Sequence, residues 1–414
     1  MKIIKVNGLT PIQSGMLFQY MLSNDKSSYM GTEIFELEGN INSDIFKSVL
    51  EKISDEYEVF RTNVIYDKID VPKSVVIDKR TIPFEFHKAV TDEEIKLLTY
   101  KINAEQFEKG FDIQRDSLIR LDLIVGENSS VIIFSFHHIL MDGYCAAMIA
   151  DIIMKNYGKL LGRQIENDGE YVPFSAYQDW IIIQDMSQSR EYWHEYLKDI
   201  SPVQPLELIQ FGSDRKKDVG HSSLTVEFTP SETKELLSAA AAGNATLNIY
   251  MQWLWGITLC RNFSCDKAVF GTVVSYRPAE FSNAERVLGP MINTVPVVFE
   301  CSSDIKITEQ LNAFRRSFLD SMEHSWIGLG EISKAVEDCK NLIDHLFVYD
   351  NFPEMDFGSI KENTGFQVKN FKLEERTEYA LTLEVSKTDR IRIRFNFNSG
   401  RYSAESIERL AELY

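Results

Sequence analysis

The chain has 414 residues, 44% hydrophobic and 12% aromatic, more apolar material than one core of ordinary size holds, so two lobes of roughly 200 residues each are expected. Against 44 basic residues stand 62 acidic ones, a formal net charge of −18; such a surface repels polyanions and excludes nucleic acid as an expected partner, and otherwise serves solubility. The five cysteines, Cys145, Cys260, Cys265, Cys301 and Cys339, form no C-x-x-C pair and accompany no signal peptide or 18-residue apolar run, which predicts a reduced, soluble, cytoplasmic protein with no membrane partner.

The leader MKIIKVNGLTP is short and reads as a true start of the parent protein. A helix is expected from Pro11 to about Leu22, with the proline in its first turn,. A second runs from Ser43 to Tyr57, with Ile45, Phe46, Val49, Leu50 and Ile53 at helical spacing,. Residues Ser117 to Val125 alternate apolar and polar, and Val131 to Phe136 form a β-branched apolar run, both patterns of strands,. From Tyr144 to about Leu161 the period switches to three and four, so HHILMDG falls in the turn between a strand and a helix, where reactive groups often sit.

The second half repeats this vocabulary. Helices are expected near Ser231 to Ala242, Asn248 to Cys260 and Thr308 to His324, and strands near Ala268 to Ser275, Leu346 to Tyr349, Ala380 to Val385 and Arg390 to Asn396. The closing SAESIERLAELY reads as an amphipathic helix with no glycine or proline stop, as though the chain is a piece ending inside or just after an element,. No internal period or Gly/Ser or Pro-rich linker appears, so the two lobes should pack together. Helices and strands mix without a steady βαβα rhythm, which predicts an α+β architecture.

The segment Phe136-His137-His138-Ile139-Leu140-Met141-Asp142-Gly143 puts two imidazoles at a strand end and a carboxylate just before a helix. A histidine near its ordinary pKa accepts a proton around neutral pH, and an adjacent buried carboxylate pins local geometry or complements an arginine. Asp142 fits a helix N-cap, and Gly143 lets a backbone N–H approach a substrate closely. Blander readings stand beside this one. The histidines can be a core pair satisfied by backbone bonds, and Asp142 can be a cap alone. A zinc site lacks ligand spacing among the cysteines and His87, His194, His221, His324 and His345,, and a Ser-His-Asp hydrolase lacks a G-x-S-x-G elbow.

HHILMDG resembles the HHxxxDG signature of condensation domains of nonribosomal peptide synthetases, relatives of chloramphenicol acetyltransferase. Other segments resemble that family's motifs in order: LTPIQSGMLF (9–18), VFRTNV (59–64), FDIQRDSLIRLDLI (111–124), PFSAYQDWIIIQD (173–185) with Trp180, VSYRP (274–278), GPMINTVPV (289–297), LFVYDNFP (346–353) and TEYALTLEV (377–385). They span essentially the whole chain. Two departures stand out: the family's earlier arginine and histidine are replaced in Glu56-Tyr57-Glu58-Val59-Phe60-Arg61-Thr62, which keeps only Arg61, and Ala176 stands where an acid is usual.

The resemblance implies two acetyltransferase-like lobes in a V with a tunnel between them, residues 1–180 carrying HHxxxDG and 181–414 carrying a floor loop (about 274–297) and a closing crossover segment (about 350–385). It implies an acyltransferase joining a donor peptidyl or aminoacyl thioester to the α-amine of an acceptor aminoacyl thioester. Both ride on 4'-phosphopantetheine arms of carrier proteins, next to an adenylation domain, with no cofactor bound directly and no metal. By the same resemblance His138 orients the amine and takes its proton, and Gly143 N–H assists the oxyanion. His137, Asp142 and Arg61 are structural, with Arg61 or another arginine pairing Asp142, and Trp180, Asn293 and Thr294 line the tunnel or the interlobe region. LTPIQSGMLF and HHILMDGYC look closest to members that accept a D-configured donor, and the short leader fits a donor delivered by a separate synthetase. An epimerization domain, a catalytically silent recruitment domain and a stand-alone acyltransferase using coenzyme A are the alternatives; His137 and His138 exclude a heterocyclization domain.

Overall fold

The computed structural model describes all residues except 1, 24, 166–170, 201–219, 302–304, 337–341, 351–356, 376 and 378. Cys339 and part of the expected closing segment therefore lie outside the described residues. The first half comprises β1 (Ile3–Gly8), α1 (Pro11–Ser23), β2 (Met30–Glu38), α2 (Ser43–Glu56), β3 (Thr62–Ile65), β4 (Lys73–Ile77), β5 (Phe84–Lys88), α3 (Asp92–Lys109), β6 (Ile119–Val125), β7 (Ser129–His137), α4 (Gly143–Leu160), β8 (Val172–Pro173) and α5 (Phe174–Ile182). The second half comprises α6 (Ser187–Leu197), β9 (His221–Glu227), α7 (Pro230–Ala242), α8 (Leu247–Phe263), β10 (Lys267–Ser275), β11 (Val287–Leu288), β12 (Ile292–Glu300), α9 (Ile307–Glu323), α10 (Leu329–Ile332), β13 (Leu346–Asp350), α11 (Phe357–Thr364), β14 (Gln367–Glu375), β15 (Leu381–Lys387), β16 (Ile391–Asn398) and α12 (Ala404–Leu413).

The expected α+β character holds, and local chemistry places the helix starts. Asn42 Oδ1 accepts from the amides of Asp44 and Ile45 at the start of α2, Thr246 caps α8 and Ser403 caps α12, each satisfying donors that a helix leaves without partners. Among the described residues no helix is long and apolar enough to cross a membrane.

The residues gather into two compact units. One comprises Met1–Gln184, Arg277–Met291 and Phe352–Glu378; the other comprises Asp185–Tyr276, Ile292–Asn351 and Tyr379–Tyr414. A single cut near residue 180 therefore does not describe the partition. Two stretches of the second half join the first unit because β14 pairs antiparallel with β2 and β11 pairs with β8.

In the first unit a five-stranded sheet has the order β14-β2-β7-β6-β5. Because strand side chains alternate between faces, Ile34, Ile124, Val131 and Ile133 point one way and pack on Ile95 and Ile102 of α3. Phe35, Leu121, Ile132 and Phe134 line the other face opposite Ala146, Ile149 and Ile153 of α4. A smaller sheet, β1-β4-β3, completes this unit. The second unit is built on a six-stranded sheet of order β12-β10-β13-β15-β16-β9, whose core gathers Trp255, Phe270, Phe299, Phe347 and Phe395.

Candidate active site

β7 runs in register between β2 and β6, with Met30 opposite His137 and Ile119 opposite Phe136. Beyond the ladder the chain turns before α4, and backbone bonds fix the turn: His138 N–H donates to Tyr29 O at 2.8 Å and Leu140 N–H to His137 O at 3.0 Å. Tyr29 holds a left-handed φ of 56°, a costly conformation for an aromatic residue that persists where the surroundings enforce it. From α1, the fully buried Gln13 donates to Ile139 O at 2.8 Å and accepts from Gln178 of α5 at 2.9 Å. The loop is therefore held by Tyr29, just before β2, and by Gln13 of α1, which Gln178 of α5 braces in turn.

The two imidazoles have different surroundings. His137 is fully buried, packed edge-on against Tyr20 and Phe111, and its Nδ1 accepts from Ile139 N–H at 3.1 Å. Burial, with the neighbouring His138 adding a smaller push, drives its pKa down to about 3, so it stays neutral. His138 lies with Nδ1 3.2 Å from Met141 O and Nε2 3.0 Å from Glu375 Oε1. Burial works against its charged form, but the Glu375 charge and hydrogen bond, the Met141 carbonyl and Asp142 outweigh it and raise its pKa.

Asp142 is fully buried and works as the N-cap of α4. Its Oδ1 accepts from Cys145 N–H at 3.0 Å, and its Oδ2 accepts from Met291 N–H at 2.9 Å and faces Arg277 Nη2 at 3.5 Å. Arg277 lies over the Tyr144 ring, 4.1 Å from its centroid, and donates to Ala284 O at 2.8 Å. The Cys145 thiol donates to Gly289 O at 3.1 Å, and burial pushes its pKa far up, leaving an inert packing group. Gly143 opens α4, where helix geometry leaves the first N–H without an intrahelical acceptor.

Glu375 ends β14. Alternation along that strand sends Glu374 to the α3 face, where it accepts from Asn103 at 2.7 Å, and Glu375 to the His138 side. Opposite Glu375 and Phe136 in register is Gly31; a Cβ there would meet Phe136 Cζ at 2.5 Å, so glycine lets the Phe136 ring lie beside His138, with centroids 5.1 Å apart. Two residues along β2, Glu33 lines a narrow, otherwise apolar cavity under α4 with Phe35, Leu121, Phe134 and Ile149.

Burial first, and the Glu375 charge second, push the Glu33 pKa up to about 8. Its pKa in the unfolded chain is near the ordinary 4.3, so between roughly pH 4.5 and 8 the unfolded state gives up a proton that the folded state retains, and stability falls as pH rises. Glu33→Gln is therefore expected to be more stable than the parent at pH 8, by an amount on the order of a few kcal/mol, and nearly equal to it at about pH 4. Thermal melts at the two pH values measure the difference, and an equal offset at both would show that Glu33 does not titrate this way.

Of the two options for the partner of Asp142, Arg61 or another arginine, the structure takes the second, and Arg61 does not pair Asp142. Its guanidinium donates to Ser54 O at 2.7 Å, Ile77 O at 2.8 Å and Asp55 O at 3.2 Å, tying the end of α2 to β4, and Arg277 supplies the partner instead. Trp180 lies in an aromatic cluster with Tyr177 and Phe281, at 6.0 and 5.6 Å between centroids. Asn293 and Thr294 belong to β12 of the second unit, where Asn293 donates to Ser325 O and Ile327 O, each at 2.6 Å. The group among the described residues that brings metal-ligating atoms together is Glu85, His87 and Asp122, but the Asp122 oxygens already accept from His87 at 3.1 Å and Gln106 at 2.8 Å. Sequence reasoning named neither Gln13 nor Glu33, Arg277 or Glu375. Gln13 and Arg277 lie inside quoted motifs, and Glu33 shares the strand face of apolar Phe35 and Leu37, whereas Glu36 and Glu38 fall on the other; Glu375 carries no sequence signal.

The Condensation domain family matches residues 4–414. Among curated proteins, the chain is 31% identical over 97% of its length to Gramicidin S synthase 2 of Aneurinibacillus migulanus, of which it spans 9%. It is 28% identical over 97% of its length to Tyrocidine synthase 2 of Brevibacillus parabrevis, of which it spans 11%. Among solved structures, the first condensation domain of the calcium-dependent antibiotic synthetase in complex with a substrate analogue superposes with a TM-score of 0.80 at 15% identity, covering 99% of this chain and 94% of that one. A holo four-domain nonribosomal peptide synthetase bound to AMP and glycine superposes with a TM-score of 0.80 at 18% identity, covering 99% of this chain and 32% of that one.

Proposed function

We propose, from the premise that this chain belongs to the condensation-domain family, that it forms amide bonds as one domain of a nonribosomal peptide synthetase. The donor is a peptidyl or aminoacyl thioester, and the acceptor is the α-amine of an aminoacyl thioester. Both are tethered to the 4'-phosphopantetheine arms of upstream and downstream carrier proteins, with an adenylation domain as neighbour, and no cofactor is bound directly.

The observation that carries this reading is an oriented imidazole: Met141 O fixes Nδ1 of His138, so Nε2, which meets the Glu375 carboxyl at 3.0 Å, is the nitrogen left for an incoming amine. The acceptor amine attacks the thioester carbonyl, its proton passes to Nε2, and the departing thiolate takes that proton as the C–S bond breaks. Gly143 N–H, at the positive end of α4, assists the oxyanion. His137, kept neutral, and Asp142, bound to Arg277 and Met291, hold the loop. A thioester is already activated, and an α-amine with a pKa near 7.7 to 8.0 is already partly neutral, so holding the two in attack geometry supplies most of the acceleration.

Incubating the full chain with a donor-loaded and an acceptor-loaded carrier tests the reading. Amide product on the acceptor carrier is expected. Racemisation of one substrate without amide would instead assign an epimerization domain, and inertness a recruitment domain. Loading the donor carrier with either enantiomer tests the D-donor preference suggested by LTPIQSGMLF and HHILMDGYC.

A further inference from the structure

A carbonyl oxygen only accepts hydrogen bonds, so the contact with Met141 O places a hydrogen on Nδ1 of His138,. Its Nε2 lies 3.0 Å from a carboxyl oxygen of Glu375, and neither a bare ring nitrogen nor a carboxylate oxygen can donate. One proton must therefore lie between them. The Nε2 lone pair that would accept the amine's proton is engaged by this contact, and Glu375 occupies the place at Nε2 that the amine must take. The His138 ring is nearly closed off, with 10% of its side chain exposed, whereas Glu375 keeps 23% and stands at the end of its strand, where it can turn outward to water. Among the described residues, the other ionisable groups around the ring are Asp142 at the start of α4 and His137 of β7, with Glu33 of β2 behind Glu375.

We propose that Glu375 is a positioning residue that keeps a proton on the Nε2 edge of His138 until the acceptor's amine takes its place there; the carboxyl leaves with that proton and gives it up to water, so the imidazole becomes a base only when an acceptor is seated. This role presupposes the amide-forming reading of His138. Its consequence concerns water. An uncapped imidazole facing a thioester would activate water: the water oxygen would bond to the carbonyl carbon, the C–S bond would break, and Nε2 would pass the water's proton to the thiolate, wasting the donor as a free acid. Capping Nε2 suppresses that reaction while leaving the amine route open.

The test uses the full chain and a carrier loaded with donor thioester, without acceptor, and measures release of free acid. The parent chain is expected to hydrolyse the donor at the background rate. Glu375→Ala is expected to hydrolyse it at least about 10-fold faster at neutral pH, since one proton-transferring imidazole is worth about 10²- to 10⁴-fold, and Glu375→Ala combined with His138→Ala should return to background. With acceptor present, Glu375→Ala still forms amide, and the acid limb of its rate moves to lower pH. Background hydrolysis in Glu375→Ala, or an unmoved acid limb, would overturn the role. If the alanine variant does not fold, Glu375→Gln replaces it, read by NMR titration of the His138 ring: a midpoint below the parent's supports the role and an unchanged midpoint refutes it. Failure of the parent chain to form amide counts against the amide reading alone, because His138-dependent hydrolysis in the variant still reports on Glu375.

Discussion

Replacing His138 by alanine is expected to slow amide formation about 10²- to 10⁴-fold, the range that one positioned proton-transferring group supplies, with a thermal melt close to the parent's. The fold should survive because, among the described residues, the ring's polar contacts are Met141 O and Glu375; with the ring gone, Met141 O loses one donor and the part-exposed Glu375 reaches water. The rate should not vanish, because the carrier arms still bring amine and thioester together and proximity persists without the base. The pH dependence adds a second readout. Since Glu375, Met141 O and Asp142 together outweigh the effect of burial and raise the His138 pKa above its ordinary 6.5, and only the neutral ring accepts a proton, the parent's rate should decline on acidification from above pH 6.5. In the alanine variant that limb disappears, and the residual rate follows the ionisation of the amine alone. Single-turnover transfer between loaded carriers across pH measures both, and a variant within about threefold of the parent at every pH would remove the imidazole from the mechanism.

How much of this was legible beforehand depended on whether the signal was local. HHILMDG announced itself because a β-branched run, a period switch and an N-cap acid coincide within a few residues, and the helix after it begins at Gly143, one residue from the expected Tyr144. The helix Asp92–Lys109 went unread: its apolar residues form no single stripe, and Leu97 and Tyr100 are exposed, so no period singles them out. β14 went unread because Gln367–Glu375 is largely polar and owes its strand conformation to pairing along β2, which tertiary context supplies and propensity does not. That one omission hid Glu375 and with it the protonation state of His138. Arg277 was visible as a letter of VSYRP, but pairing a carboxylate with a guanidinium 135 residues away requires knowing that β11 lies beside β8. Arg61 was the nearer candidate in sequence, and its guanidinium is instead consumed by the backbone carbonyls of Ser54, Asp55, Ile77 and Asp78.

The Asp142 to Arg277 contact yields the other large expected effect. Asp142→Ala should destabilise the chain by about 3–5 kcal/mol, the cost of removing one member of a buried ion pair and stranding the other. The side chain exposures are 0% for Asp142 and 11% for Arg277, so water cannot replace the lost carboxylate. Loss of the α4 cap accounts for only about 0.5–2 kcal/mol of this; the remainder comes from Arg277 and from the Met291 amide, which donates to the same carboxylate. Asp142→Asn separates the two contributions, because its amide oxygen still caps Cys145 N–H while the charge is gone. Arg277→Met removes the charge that Asp142→Ala strands, so the double variant should be less destabilised than the two single losses summed, by a coupling of about 0.5–3 kcal/mol. Urea denaturation of the two single variants and the double variant closes the cycle. Strict additivity would mean that Arg277 is held by its other contacts, such as the Tyr144 ring, Ala284 O and Met291 Sδ, without Asp142. Hydrogen exchange adds an independent readout: the Met291 N–H, protected by Asp142 in the parent, should exchange faster in Asp142→Ala than amides of the second unit such as Phe270, because the contact that ties the 277–291 stretch to the start of α4 has been cut.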